Sequence, residues 1–260
     1  VATAPPSPTI ATPVRAPSMW SCGVHSTGMK SFLSSGVLLR RAPEVVAGGA
    51  VLVGGVFAHR SDQHARPRPI ARLETDSQRF DAGRFTGTRF DIVTVADSRE
   101  QITTMGGLRM VPDALLADLD PAVSDLLVLP GALMWDAGGG DTFAAAAGRF
   151  LDAGVPVAAI CGATAGLARA GLLDERNHTS AAAEYLAATG YAGGDHYVDE
   201  RAVIDGDLVT AGPQSPVQFA RATLGRLRLA SDHTLDAYEG VFHRGDPRGF
   251  PVLMQAQGAI

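Results

Sequence analysis

The stretch VPVAAICGATAGLARAGLL, Val155–Leu173, decides the reading of this chain. Val155–Ile160 is a short apolar run, the pattern of a strand buried on both faces. From Cys161 onward small residues dominate and the run reads as a helix. One of the chain's two cysteines therefore sits where a strand ends and a helix begins. In doubly wound sheets the chemistry collects at the carboxyl ends of the central strands. A thiol in the first turn of a helix also faces unpaired backbone N–H groups and the positive end of the helix dipole. Both favour thiolate over thiol and lower the pKa. Ala159, Gly162 and Ala163 are small enough for the sharp turn that such a presentation needs. The competing reading is a buried cysteine acting as a small hydrophobe. Local pattern alone leaves both open.

Working outward, Val51–Phe57 (VLVGGVF), Phe90–Ala96 (FDIVTVA) and Asp125–Gly131 (DLLVLPG) repeat the buried-strand pattern. Asp141–Gly154 reads as a helix with Asp141 as N-cap and Gly154 beyond its C-terminus. Asp205-Gly206, between apolar residues, marks a hairpin. Ser215 as N-cap and Pro216 at the first helical position open a helix running to about Leu229. The alternation of strand and helix predicts an α/β fold, a doubly wound, mostly parallel sheet between two helical layers. Pro67 and Pro69 break the early turns of the first crossover. Residues 1–49 are rich in Pro, Ala, Ser and Thr without a sustained period, which predicts a disordered or loosely packed extension before a domain over 50–260. Cys22 lies in that extension and receives no role.

Composition narrows the function classes. The chain has 260 residues, 46% of them hydrophobic and 19% charged, enough for one sizeable core. A net charge of -5 gives no general attraction to nucleic acid or to anionic membranes. Two cysteines cannot build a disulfide framework, so a cytoplasmic location is expected. No apolar run approaches the roughly 20 residues that span a bilayer. Arg40 and Arg41 precede an apolar stretch, but Glu44 interrupts the order of an export signal, and a linker before a first strand is the simpler reading. Lys30 is the sole lysine, and with abundant Ala, Gly and Val this points to a GC-rich bacterial genome.

Pro130-Gly131-Ala132 ends the strand before the cysteine's own. A turn there offers backbone N–H groups to a developing oxyanion, together with that of Gly162. The bland alternative is a chain reversal only. No Lys-Ser/Thr follows the glycines at Gly138–Gly140, so this is not a phosphate loop. No histidine pair has metal-ligand spacing. No metal and no cofactor is expected.

LLVLPGALMWDAGGG, VPVAAICGATAGLARAGLLDERNHTS and DLVTAGPQSPVQFAR, in this order and spacing, resemble the ThiJ/PfpI (DJ-1/PfpI-like) family of the class I glutamine-amidotransferase-like superfamily. The resemblance covers about residues 90–229. It implies a flavodoxin-like α/β/α sandwich, usually dimeric, with a nucleophile elbow carrying a reactive Cys161. It further implies oxyanion-binding backbone at about Ala132 and Gly162, beside Gly131. Members carry a carboxylic acid shortly after the first strand, in a pattern like Asp-Trp-Glu. Here the matching stretch is AHRSDQHARPRP. Asp62 is one candidate for that acid, Gln63 a neutral replacement, and loss of the acid a third possibility. His178, in DERNHTS, is the candidate base that would activate the thiol. His196, His233 and His243 read as loop or tail residues. The late His-x-Glu of true glutamine amidotransferases is missing, so glutaminase chemistry is not expected.

Two function classes remain. The first is a cysteine-dependent enzyme acting on a small electrophile, a hydrolase, hydratase or glyoxalase/deglycase-like lyase. The second is a non-enzymatic redox or stress protein working through oxidation of Cys161, with an inactive family member as its bland limit. The expected partners are a small-molecule substrate and a second copy of the chain, without nucleic acid or membrane.

Overall fold

Every residue of Leu126–Leu129 and of Val157–Ile160 is buried. Alternate side chains of a strand point to opposite faces, so this pattern requires a helical layer on each side of the sheet. The computed structural model describes residues 35–40, 91–103 and 109–258. Among them the strands are β1 (Ser35–Arg40), β2 (Asp91–Ala96), β3 (Ile102–Thr103), β4 (Arg109–Met110), β5 (Ala114–Leu115), β6 (Leu126–Leu129), β7 (Val157–Ile160), β8 (Ala202–Asp205) and β9 (Leu208–Ala211). The helices are α1 (Leu133–Asp136), α2 (Asp141–Asp152), α3 (Gly162–Arg169), α4 (Ala183–Ala187), α5 (Pro216–Arg226), α6 (Asp232–Phe242) and α7 (Phe250–Gly258).

Seven strands form one sheet in the order β5-β2-β1-β6-β7-β9-β8, and β3 pairs with β4 separately. The β6–β7, β7–β9 and β2–β5 pairs are parallel. β8 and β9 form the antiparallel hairpin expected at Asp205-Gly206, with Asp205 opposite Leu208. β5, β2, β6, β7 and β9 all run the same way, while β1 and β8 run against them. The result is a flavodoxin-like α/β fold with a mostly parallel sheet. On one face Leu127, Leu129, Val157 and Ala159 pack with Phe143 and Phe150 of α2 and Leu167 of α3. On the other, Leu126, Val128, Ala158 and Ile160 pack with Phe219 of α5, Leu235 and Tyr238 of α6, and Leu253 of α7.

Several expectations change. Ser35–Arg40, inside the stretch assigned to an extension, are a strand that pairs antiparallel with both β2 and β6. SGVLLR is too short to stand out from the Pro/Ser/Thr-rich composition around it, and the two rows of ladder bonds that hold it are long-range. The rest of 1–49, Cys22 included, lies outside the described residues, as do Val51–Phe57 and the crossover with Pro67 and Pro69. Asp141 is not the N-cap of α2 but its first residue; Gly140, at φ 92°, takes the cap. Ser215 does occupy the cap of α5 with Pro216 following, yet its hydroxyl makes no capping bond.

Trp135 of α1 is fully buried between the sheet's helical layer and α3. Its indole N–H donates to the carbonyl of Pro130 at 3.0 Å. Gly166 of α3 lies flat on the ring, so that a Cβ there would fall within it. Trp135 is boxed in and has no free rotamer to move to. Gly166→Ala should therefore destabilise by about 1–3 kcal/mol through overpacking. The check is a urea melt, with a lowered midpoint at unchanged slope.

Candidate functional site

The carboxyl ends of β6, β7 and β9 meet at Cys161. The residue caps the N-terminus of α3 at φ 60° and ψ -131°, a conformation that a non-glycine residue adopts only under constraint. Four hydrogen bonds supply the constraint. The Cys161 N–H donates to the carbonyl of Ala211, at the end of β9, at 3.0 Å. The Cys161 carbonyl accepts from the Thr164 N–H at 3.1 Å and from the Thr164 hydroxyl at 2.7 Å. Having spent its proton there, Thr164 Oγ1 accepts from Ser180 Oγ at 2.6 Å. Thr164 and Ser180 are buried, so this chain of hydroxyls is a fixed part of the elbow.

Gly131 lies directly against the sulfur. A Cβ on it would stand 2.8 Å from Cys161 Cβ and 3.1 Å from Sγ, so only glycine leaves room for the thiol. Gly162 is equally confined, with Trp135 Cβ 3.0 Å and the Ala132 carbonyl 3.3 Å from where its own Cβ would be. Gly131 thus lies beside Cys161, and Ala132 beside Gly162. Asp62 and Gln63 lie outside the described residues.

The electrostatics reverse one expectation. Half-buried Cys161 was expected to have a lowered pKa, but burial pushes its thiol above the ordinary range. The Gly162 N–H pulls the other way, and the nearby Asp136 carboxylate adds to the rise. The helix-terminus contribution read from the sequence is present, and desolvation outweighs it.

His178 is fully buried and engaged elsewhere. Its Nδ1 lies 2.6 Å from the Arg176 carbonyl, which can only accept, so Nδ1 carries the proton. Nε2 then accepts from the Tyr191 hydroxyl at 3.0 Å. Tyr191 and Tyr197 flank the ring edge-on. Burial holds its pKa below the ordinary value, with the His196 charge acting the same way and the Arg176 carbonyl and Asp174 opposing it. The Cys161–His178 pair expected from the sequence does not form in this arrangement, because both ring nitrogens are already bonded. His178 ties the loop after α3 to Tyr197, while its neighbours Thr179 and Ser180 run on to the elbow.

Two residues near the sulfur were not singled out from the sequence. Asp136 ends α1, and Tyr185 of α4 donates its hydroxyl to Asp136 Oδ1 at 2.6 Å. Burial and that bond, with the Asp136 charge, push the Tyr185 phenol well above its usual range. Asp136 was open to discovery, since PGALMWD follows a strand whose end points at the site. Tyr185, in AEYLA, carries no such signal. Among the described residues no group of three or more His, Cys, Asp or Glu could hold a metal ion. No helix there is long and apolar enough to cross a membrane.

Residues 70–226 match the DJ-1/PfpI family. The chain is 36% identical over 165 residues to the Bacillus subtilis protein named uncharacterized protease YoaZ, covering 63% of this chain and 79% of that one. To a second Bacillus subtilis protein, uncharacterized protease YdeA, it is 29% identical over 161 residues, 58% of this chain and 79% of the other. Among solved structures it resembles a thiJ/pfpI family protein from Bacillus anthracis, at 37% identity and TM-score 0.59 over 62% of this chain and 77% of that one. It also resembles the DJ-1 superfamily protein Atu0886 from Agrobacterium tumefaciens, at 36% identity and TM-score 0.51, over 56% and 80%.

Two measurements check this geometry. The pH midpoint for alkylation of Cys161 by iodoacetamide should lie above that of an ordinary cysteine, about 8.5. His178→Ala should leave that midpoint in place while costing about 1–3 kcal/mol in a urea melt, from the two partners left unbonded.

Proposed function

The chain belongs to the DJ-1/PfpI family, and on that premise we propose that it is a Cys161-dependent enzyme acting on a small electrophilic carbonyl compound. The observation that carries the reading is a thiol held at positive φ on the strand-to-helix elbow, with Gly131 pressed against its sulfur. Strain of this kind costs on the order of 1–3 kcal/mol. The elbow presents Sγ at the carboxyl ends of three strands, where a substrate reaches it. Sγ attacks the carbonyl carbon. The backbone N–H of Gly162, with those of Gly131 and Ala132, stabilises the oxygen that gains charge. Hydrolysis of an ester or amide and addition to a reactive aldehyde share this first step. The two Bacillus subtilis relatives named as uncharacterized proteases fall within the hydrolytic half of that class.

Glutaminase chemistry of the Cys-His-Glu type is outside the proposal, since His178 is bonded away from the sulfur.

Consumption of methylglyoxal and hydrolysis of p-nitrophenyl acetate test the reading. Cys161→Ser should lower at least one of these rates by ~10²-fold or more. Equal rates in the two proteins for both substrates overturn it.

A further inference from the structure

We propose that Thr164 and Ser180 are positioning residues of the reaction, holding the Cys161–Gly162 peptide so that the Gly162 N–H meets the oxygen that gains charge. The inference rests on the enzymatic reading above and deepens it by naming what aims its oxyanion-binding backbone.

One torsion sets that aim. Rotation about ψ of Cys161 swings the Cys161 carbonyl and the Gly162 N–H together, because they belong to one planar trans peptide and point in opposite directions. Whatever holds the carbonyl therefore aims the N–H. The carbonyl accepts from the Thr164 N–H at 3.1 Å and from the Thr164 hydroxyl at 2.7 Å, with ψ at -131°. The first bond closes the backbone turn; the second exists only because residue 164 carries a hydroxyl. Gly162 is the first residue of α3, so its N–H has no carbonyl to bond within the helix. It faces the thiol instead and favours the anion there. When Sγ bonds to a carbonyl carbon, the oxygen of that carbonyl is two bonds from Sγ and enters the field of the same N–H.

The Thr164 hydroxyl is itself held. Its Oγ1 accepts from Ser180 Oγ at 2.6 Å. Ser180 follows Thr179, whose N–H donates to Thr210 Oγ1 of β9 at 2.9 Å and whose hydroxyl donates to the Glu200 carbonyl at 2.8 Å. Thr164, Thr179, Ser180 and Thr210 are all buried, where an unpaired hydroxyl is costly and a paired one stays in place. β9 thus reaches Cys161 at both ends. Ala211 takes its N–H directly, and Thr210 secures its carbonyl through Thr179, Ser180 and Thr164. The first contact fixes φ and the second fixes ψ. Neither Thr164 nor Ser180 makes or breaks a bond in the reaction; both hold a dipole.

The test compares wild type, Thr164→Val, Thr164→Ser, Ser180→Ala and Cys161→Ser. Alkylation of Cys161 by iodoacetamide is followed against pH on the peptide that carries it. Turnover is measured with p-nitrophenyl acetate and methylglyoxal, and the substrate whose turnover Cys161→Ser loses is the one compared. Thr164→Val keeps the shape of the side chain and removes the hydroxyl. Its alkylation midpoint should rise, because the N–H that favours the thiolate swings away. Its kcat should fall by ~10-fold or more at a KM within about twofold, because the N–H acts on the transition state. Thr164→Ser, with the hydroxyl back and a methyl lost, should restore both. Ser180→Ala should shift both in the same direction and by less. Loosening of the elbow alone has the opposite sign, since water then reaches the sulfur and the midpoint moves down toward that of an ordinary cysteine. An unmoved or lowered midpoint in Thr164→Val overturns the inference, as does an unchanged kcat or a Thr164→Ser no better than Thr164→Val. If Thr164→Val does not fold, Ser180→Ala decides by the same signs. If Cys161→Ser keeps full turnover of both substrates, the enzymatic reading fails. If Cys161→Ser is inactive and Thr164→Val turns over like wild type, the inference alone fails.

Discussion

A cysteine backbone held at φ 60° is the constraint on which the site depends. In that conformation Cβ crowds the chain's own backbone, and the surroundings have to over-determine it. They do so from three directions. β9 takes the Cys161 N–H at Ala211, Thr164 and Ser180 take its carbonyl, and Gly131 sets the limit on its side chain. Trp135 closes the arrangement from below, because the turn that carries Gly131 and Ala132 is anchored through its indole to Pro130 and through its ring face to Gly166 of α3. The elbow and the turn opposite it are thus one packed unit.

That unit explains why the thiol pKa is pushed up. Closing glycine backbone and Trp135 around the thiol removes water, and removing water disfavours the anion more than one amide at a helix terminus favours it. Asp136 sharpens the same preference.

Much of the framework could be read directly. The strands at Asp91–Ala96, Leu126–Leu129 and Val157–Ile160 announce themselves as apolar runs, and the Asp205-Gly206 hairpin through its turn residues. β1 did not, because its six residues make sense only when paired on both sides to strands far along the chain. The site divides in the same way. Cys161, Gly131, Ala132 and Gly162 lie where strand ends predict them. His178 was misplaced as a base because spacing along the chain does not say which way a ring faces. Its nitrogens are claimed by Arg176 and Tyr191, within the segment it helps to fold. Asp136 and Tyr185 come from different helices, and nothing in either local sequence points to the other.

By itself the sequence determined the layer order, the elbow and the identity of the residue on it, because hydrophobic period, small residues and turn chemistry are local properties. Tertiary structure alone decided the burial around the thiol, the partners of His178 and the meeting of Asp136 with Tyr185. Desolvation and hydrogen bonding depend on what is packed around a group in three dimensions, and that is set by residues tens of positions away in the chain.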